Sequence, residues 1–297
     1  MLTQDVQVYR TRDGRPGEIR RRQDPVVYGG LEDGPLGPEA LDNYERNGFL
    51  TFDALLTPEE VQACREELDR LSQLPERHTD ERYVIEPAAD EVRSIFQVHA
   101  VSPLYNRIIR DSRLVDVARQ LLGSEVYIHQ TRINAKPAFT GSGFYWHSDF
   151  ETWHAEDGMP RVRALSFSIG LTENYPHNGP LMIIPGSHKW FLSCSAPTPP
   201  DNHKSSLAKQ EIGVPEGELL RRIADENGGV HQVLGAPGSA VAFDCNCMHG
   251  SAENITPYPR QNLFVVFNSV DNALVEPFAA PARRPEYLAD RAFTPLA

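Results

Sequence analysis

Apolar residues in the first 125 positions recur at helical spacing. Val61, Cys64, Leu68 and Leu71 share one face of a helix, and Thr57-Pro58-Glu59-Glu60 ahead of them is a capping box with proline at the first helical position. Pro75 lies just past its end. Leu114, Val117, Ala118 and Leu121 repeat the pattern between a cap at Asp111 and a stop at Gly123, and Ser102-Pro103 marks a further helix start. Pro38 to Asn47 reads as a short helix closed by Gly48, followed by a strand Phe49-Leu50-Thr51-Phe52. Residues 78–89 are polar and read as a loop, and 94–98 as a short strand.

From Val126 onward the period changes to two. Between Val126 and Lys136 the even-numbered residues share a face, which groups Gln130, Arg132, Asn134 and Lys136; that row faces either solvent or an interior cavity. In 165–171, Leu165, Phe167, Ile169 and Leu171 alternate with Ser166, Ser168 and Gly170, so the large side would pack outward and the small side would line a cavity. Residues 196–211 lack periodicity and read as a loop and a lid candidate, and 218–226 as a helix ended at Asn227-Gly228. Residues 240–243 form the strand expected to carry His249, and 262–268 the strand after Arg260. Helices first and strands afterwards predict a mainly β fold with flanking helices, one domain over 1–297 with an irregular arm over 1–35 and a β core over 126–270.

Composition narrows the function. A net charge of −12 argues against nucleic acid as a partner, and no apolar run is long enough to span a bilayer. The arginines of the first 22 residues are interleaved with Asp5, Asp13 and Glu18, as in a solvated arm available for dimer contacts and unlike a transit peptide. Cys64, Cys194, Cys245 and Cys247 are scattered and read as reduced thiols of a cytoplasmic protein.

The chemistry concentrates in residues 144–154. His147 and Asp149 are two residues apart, so on an extended strand both leave the same face. One imidazole and one carboxylate are two thirds of the facial triad that binds Fe(II) and leaves three positions open; His249 is the candidate third ligand. Eleven residues later Arg260 offers a planar fork for a carboxylate, and Ser251 a hydroxyl. On the final strand Phe264 shares the parity of Arg260, and Phe243 that of His249, so both could form an aromatic wall for a delocalised cation. Packing in the core is the alternative for each.

This H-x-D, distal His and Arg combination resembles the Fe(II)/2-oxoglutarate-dependent dioxygenases. Asn178-Gly179-Pro180-Leu181 with Pro185-Gly186-Ser187-His188 is similar to their phytanoyl-CoA hydroxylase branch. Residues 144–160 resemble its ectoine hydroxylases, as do 243–246, 254–260 and 267–270. The resemblance implies a double-stranded β-helix (jelly-roll or cupin-type) core and iron on His147, Asp149 and His249. It implies 2-oxoglutarate held by Lys136, Trp153, Ser251 and Arg260, and a substrate held by Gln130, Thr152, Phe243 and Phe264. The implied reaction consumes O2, hydroxylates ectoine to the compatible solute 5-hydroxyectoine, and releases succinate and CO2. A homodimer is implied as well. Asp149 points away from the halogenases of the superfamily, which keep Ala or Gly there. Two other readings stand: a related oxygenase acting on another small amino-acid-like or acyl substrate, and a metal-binding barrel without turnover.

Overall fold

The computed structural model describes residues 8–86, 90–207 and 210–296; residues 1–7 of the arm, 87–89 of the expected polar loop and 208–209 of the lid candidate lie outside the described residues. Strands run in chain order β1 Ile19–Arg21, β2 Phe49–Phe52, β3 Tyr83–Glu86, β4 Glu91–Phe96, β5 Val126–Lys136, β6 Phe144–His147, β7 Ala164–Gly170, β8 Leu181–Ile183, β9 Trp190–Leu192, β10 His231–Gln232, β11 Ala240–Asp244, β12 His249–Ser251 and β13 Arg260–Ser269. Helices are α1 Pro38–Asn47, α2 Pro58–Ser72, α3 Val98–Val101, α4 Pro103–Ile109, α5 Ser112–Leu122, α6 Asp149–Thr152, α7 His203–Ser206 and α8 Gly217–Glu226.

Seven strands form one antiparallel sheet in the order β2-β11-β7-β13-β5-β4-β3, four form a second in the order β10-β8-β12-β6, and β1 pairs with β9. The non-sequential order is that of a double-stranded β-helix with helices outside it. Helix ends follow the sequence signals. Thr57 accepts from the Glu60 N–H, Asp111 from the Arg113 N–H, and Gly48 and Gly123 close their helices at φ 81 and 59. The apolar stripes of α2 and α5 meet Leu165, Phe167, Ile169, Leu263, Val265 and Phe267, the outward faces of β7 and β13, in one core cluster. Burial of this face provides the main stabilisation of the large sheet, at roughly 25 cal/mol per Å² of apolar surface. The inner faces are thereby left for polar residues.

Four expectations change. On β5 the even-numbered face is interrupted: Val126 and Ile128 join the outer core with Ile133, because the register against β13 slips between Val266 and Phe267. That extra residue turns only Gln130 and its successors inward. The polar 78–89 stretch contains β3, an edge strand paired with β4. His249 does not ride on the strand of 240–243, since β11 ends at Asp244 and His249 opens β12 in the other sheet. The arm is solvated only in part: Arg10, Arg15 and Arg21 are exposed, but Arg12 and Arg22 are buried, and Arg22 donates to Asp244 at 2.7 Å and to the Val162 carbonyl at 2.9 Å.

Candidate active site

Chain geometry brings the three candidate metal ligands together from two separate stretches. β6 and β12 pair antiparallel with His147 directly opposite His249. Asp149 reaches them differently from the expectation: the strand ends at His147, Ser148 caps the Glu151 N–H, and Asp149 is the first residue of α6. A one-residue change of direction therefore delivers the carboxylate. Its Oδ1 stands 3.6 Å from Nε2 of His147 and 3.8 Å from Nε2 of His249. The two Nδ1–H groups donate to the carbonyls of Tyr145 at 2.8 Å and Cys247 at 3.0 Å, which turns both Nε2 lone pairs toward the carboxylate. Ser166 donates to the other carboxylate oxygen at 3.2 Å.

The protonation states suit a metal. Burial opposes ionisation of Asp149, but the facing His249 and then His147 and Arg132 hold it well below the usual carboxylate range. Burial, with His147 next, pushes His249 down to about 4, so its imidazole is neutral near pH 7. Three buried donors, one anionic and two imidazole, within 4.8 Å of one another fit a divalent transition metal.

The triad opens into a cavity between the two sheets, lined among others by Gln130, Arg132, Asn134, Thr152, Trp153, Ser251, Arg260 and Phe264. Arg260 is fully buried on β13. It donates to the Gly179 carbonyl at 2.6 Å and to Asn134 at 3.1 Å, while its Nε has no partner and no carboxylate pairs with it among the described residues. Desolvation and then Arg93 lower it to about 10, still a cation at neutral pH. Gly179 approaches closely at φ 72, where a Cβ would lie 2.5 Å from the Ala252 carbonyl oxygen. An uncompensated buried guanidinium beside a metal triad fits the far carboxylate of a dicarboxylate such as 2-oxoglutarate.

The structure brings Gln130, Thr152, Trp153, Ser251, Arg260 and Phe264 to this cavity but not Lys136 or Phe243. Lys136 donates instead to the carbonyls of Ser142 at 2.6 Å and Ala252 at 2.7 Å; burial and the neighbouring Arg260 and Arg93 lower it to about 6. Phe243 packs edge-on behind His249, ring centroids 5.1 Å apart, in an apolar cluster with Phe49 and Ile183. Its parity with His249 counts for nothing because a turn separates the two strands. Phe264 carries Arg132 over its ring at 4.5 Å, so a protein cation already covers that face.

Arg132 belongs to the polar row of β5, and its alternation alone assigns it no role. Its guanidinium donates to Gln130, whose amide in turn donates to the Leu288 carbonyl at 2.7 Å. Arg284 and Glu156 also line the cavity. Arg284 grips Asp157 with two hydrogen bonds of 2.7 and 2.6 Å, and nothing near it in sequence signals this. Glu156 and Asp157 belong to a π-turn, Trp153–Asp157, that continues α6. His154 does not reach the cavity: it donates to the Met159 carbonyl at 2.8 Å and stacks on Phe278 at 4.1 Å.

Comparison with known proteins agrees with this geometry. The family described as Phytanoyl-CoA dioxygenase (PhyH) matches residues 44–262. The ectoine dioxygenase of Streptomyces coelicolor is 56% identical over 276 residues, 93% of this chain and 92% of that protein. The ectoine dioxygenase of Bordetella bronchiseptica is 50% identical over 292 residues, 98% and 94% of the two chains. A crystal structure of EctD from S. alaskensis with 2-oxoglutarate and 5-hydroxyectoine superposes with a TM-score of 0.86 at 45% identity, covering 96% of this chain and 94% of that one. Another EctD structure from S. alaskensis, with bound Fe, gives 0.86 at 44% identity over 97% and 96% of the chains.

Proposed function

Since the chain belongs to the phytanoyl-CoA dioxygenase family, we propose that it is an Fe(II)/2-oxoglutarate-dependent dioxygenase that hydroxylates ectoine to 5-hydroxyectoine. The observation that carries the reaction class is the sharing of one cavity by the His147, Asp149 and His249 triad and the unpaired guanidinium of Arg260. The choice of ectoine rests on the similarity to ectoine dioxygenases over nearly the whole chain.

His147, Asp149 and His249 would hold iron, and Arg260 with Ser251 would hold the distal carboxylate of 2-oxoglutarate. Bound there, iron and 2-oxoglutarate with O2 supply the oxidant that places one oxygen atom on an unactivated carbon and the other in succinate, with loss of CO2. The chain's own residues orient and exclude. Arg132 has no carboxylate partner among the described residues, and it offers a second, half-buried cation for the carboxylate of a zwitterionic substrate. Thr152 and Gln130 line the same cavity, and Phe96, Phe144, Trp153 and Phe264 contribute apolar surface to it. Leu207, Gln210 and Ile212 also line the cavity.

We place the enzyme in the cytoplasm as a homodimer. Four buried, unpaired thiols suit a reducing compartment. Exposed Phe139, Ile255 and Tyr258, joined through the Phe139 N–H bond to Thr256, offer an apolar face to a second copy.

The test is turnover with iron, 2-oxoglutarate, O2 and ectoine, analysed by mass for a gain of one oxygen and compared with proline and other small amino acids. Product from ectoine with stoichiometric succinate is expected. Product from another substrate alone would move the enzyme to a sister activity, and no succinate with any substrate would leave a binding barrel.

A further inference from the structure

The arm packs an arginine against residues that line the active site. Arg12 is 3% exposed, and its backbone stands at φ 56, a left-handed conformation that costs a non-glycine residue about 1–2 kcal/mol. All five guanidinium N–H groups are used. Nε and Nη2 grip Glu151 at 2.9 and 2.7 Å, Nη1 reaches Glu156 at 2.6 Å and Thr198 at 3.1 Å, and the second Nη2 proton goes to the Thr152 hydroxyl at 3.2 Å. Thr11 adds a bond to Glu151 at 2.6 Å, and the Arg12 N–H is anchored on the Cys194 carbonyl at 2.7 Å. Gly213 presses against the same cluster, since a Cβ there would lie 2.4 Å from Arg12 Nη2 and 2.8 Å from Glu151 Oε2.

Glu151, Thr152 and Glu156 belong to α6 and its π-turn, the stretch that begins at the candidate ligand Asp149. Two buried glutamates five residues apart would repel there without a shared cation. The bond to Thr152 has a further consequence. A hydroxyl that accepts from Arg12, and from Gln210 at 3.5 Å, keeps only its own proton to give. No acceptor takes that proton among the described residues, and Thr152 lines the cavity.

We infer that Arg12 is a positioning residue for substrate: by donating to Thr152 it fixes that hydroxyl as a hydrogen-bond donor aimed into the cavity. The donor recognises an acceptor oxygen, such as the carboxylate of a small zwitterion. The inference rests on the ectoine reading for the ligand's identity. Arg12 acts through Thr152, and its side-chain hydrogen bonds reach none of the three candidate metal ligands.

The experiment uses the full chain loaded with iron and 2-oxoglutarate without oxygen. The visible charge-transfer absorbance of that complex is followed while 2-oxoglutarate and then ectoine are titrated, so that binding is read without turnover. Arg12→Lys and Thr152→Val are each expected to leave the 2-oxoglutarate titration within about twofold of the parent. Each is expected to weaken ectoine about tenfold, as loss of a charge-supported hydrogen bond does. Thr152→Ser keeps the donor and should restore affinity, and the double variant Arg12→Lys/Thr152→Val should be no weaker than Thr152→Val alone. Unchanged ectoine affinity in Arg12→Lys, or two single effects that multiply in the double variant, would overturn the inference. Should Arg12→Lys fail to fold, the isosteric Thr152→Val decides: parent-like ectoine affinity there overturns it, and loss rescued by Thr152→Ser supports it. A parent whose spectrum ignores ectoine overturns the substrate reading instead, and the ligand named here with it.

Discussion

Arg260 and Phe243 show how differently two residues of the same neighbourhood are employed. Arg260 is a buried cation whose Nε–H is unanswered. Removing its charge in Arg260→Ala is expected to weaken 2-oxoglutarate by about 2–5 kcal/mol, because a truncated partner of a buried charged pair costs that much. Lys at this position should recover only part of it, lacking the planar fork. An equilibrium titration of 2-oxoglutarate checks both, and parent-like affinity in Arg260→Ala would assign the carboxylate to another cation, Arg93 or Lys136 being near. Phe243, wholly buried behind His249, belongs to packing. Phe243→Ala should cost about 3–5 kcal/mol of stability. In the milder Phe243→Leu the ectoine KM should stay near the parent value; a KM rise at unchanged thermal midpoint would return Phe243 to the substrate.

At the scale of the element, the stretch from Ser148 to Gly158 does the work of assembling the site. Ser148 starts a helical turn, the backbone widens into a π-turn at Trp153, and Gly158 ends it at φ 79. A Cβ on Gly158 would lie 2.3 Å from the Val275 carbonyl oxygen and 2.6 Å from that of Glu276. Gly158→Ala must therefore move the turn or the 275–276 backbone. It is expected to cost at least about 2 kcal/mol, combining left-handed strain with the clash. Because the same turn carries Thr152, Trp153 and Glu156, ectoine affinity should fall along with the thermal midpoint. A Gly158→Ala protein with unchanged midpoint would show that the turn has slack.

For the whole molecule, the deep burial that shapes the site also sets its response to acid. His129, His154 and His188 are all buried, chiefly desolvated, and lowered to about 3, 4 and 3. Each imidazole lies below its unfolded value near 6.5, so the unfolded chain binds more protons than the native one as pH falls. Their contribution is fully present above pH 6.5 and is lost progressively down to the folded values. At pH 5 the loss is about 2 kcal/mol per group. Thermal midpoints of the metal-free protein should therefore drop between pH 7 and pH 5, and His154→Gln should make that slope shallower. A midpoint that stays flat over this window would mean that these rings are protonated or solvated in the native state.

What the sequence determined by itself is local or periodic. Capping residues and glycines set the helix ends, because a cap needs only its own turn. Alternation in 165–171 placed the large residues under the helices and the small ones inside. The chemistry of His147, Asp149, His249 and Arg260 was legible as residue types in a spacing that resembles a known family. Tertiary structure decided the rest, because those contacts are closed by distant parts of the chain. A slipped register on β5 chose which even-numbered residues face inward. The turn between β11 and β12 took Phe243 out of the cavity while leaving His249 in it. Arg12 and Arg284, 139 and 127 residues from the acids they grip, carry no local signal. A charged side chain in a polar arm reads as solvated until the fold supplies a buried carboxylate opposite it.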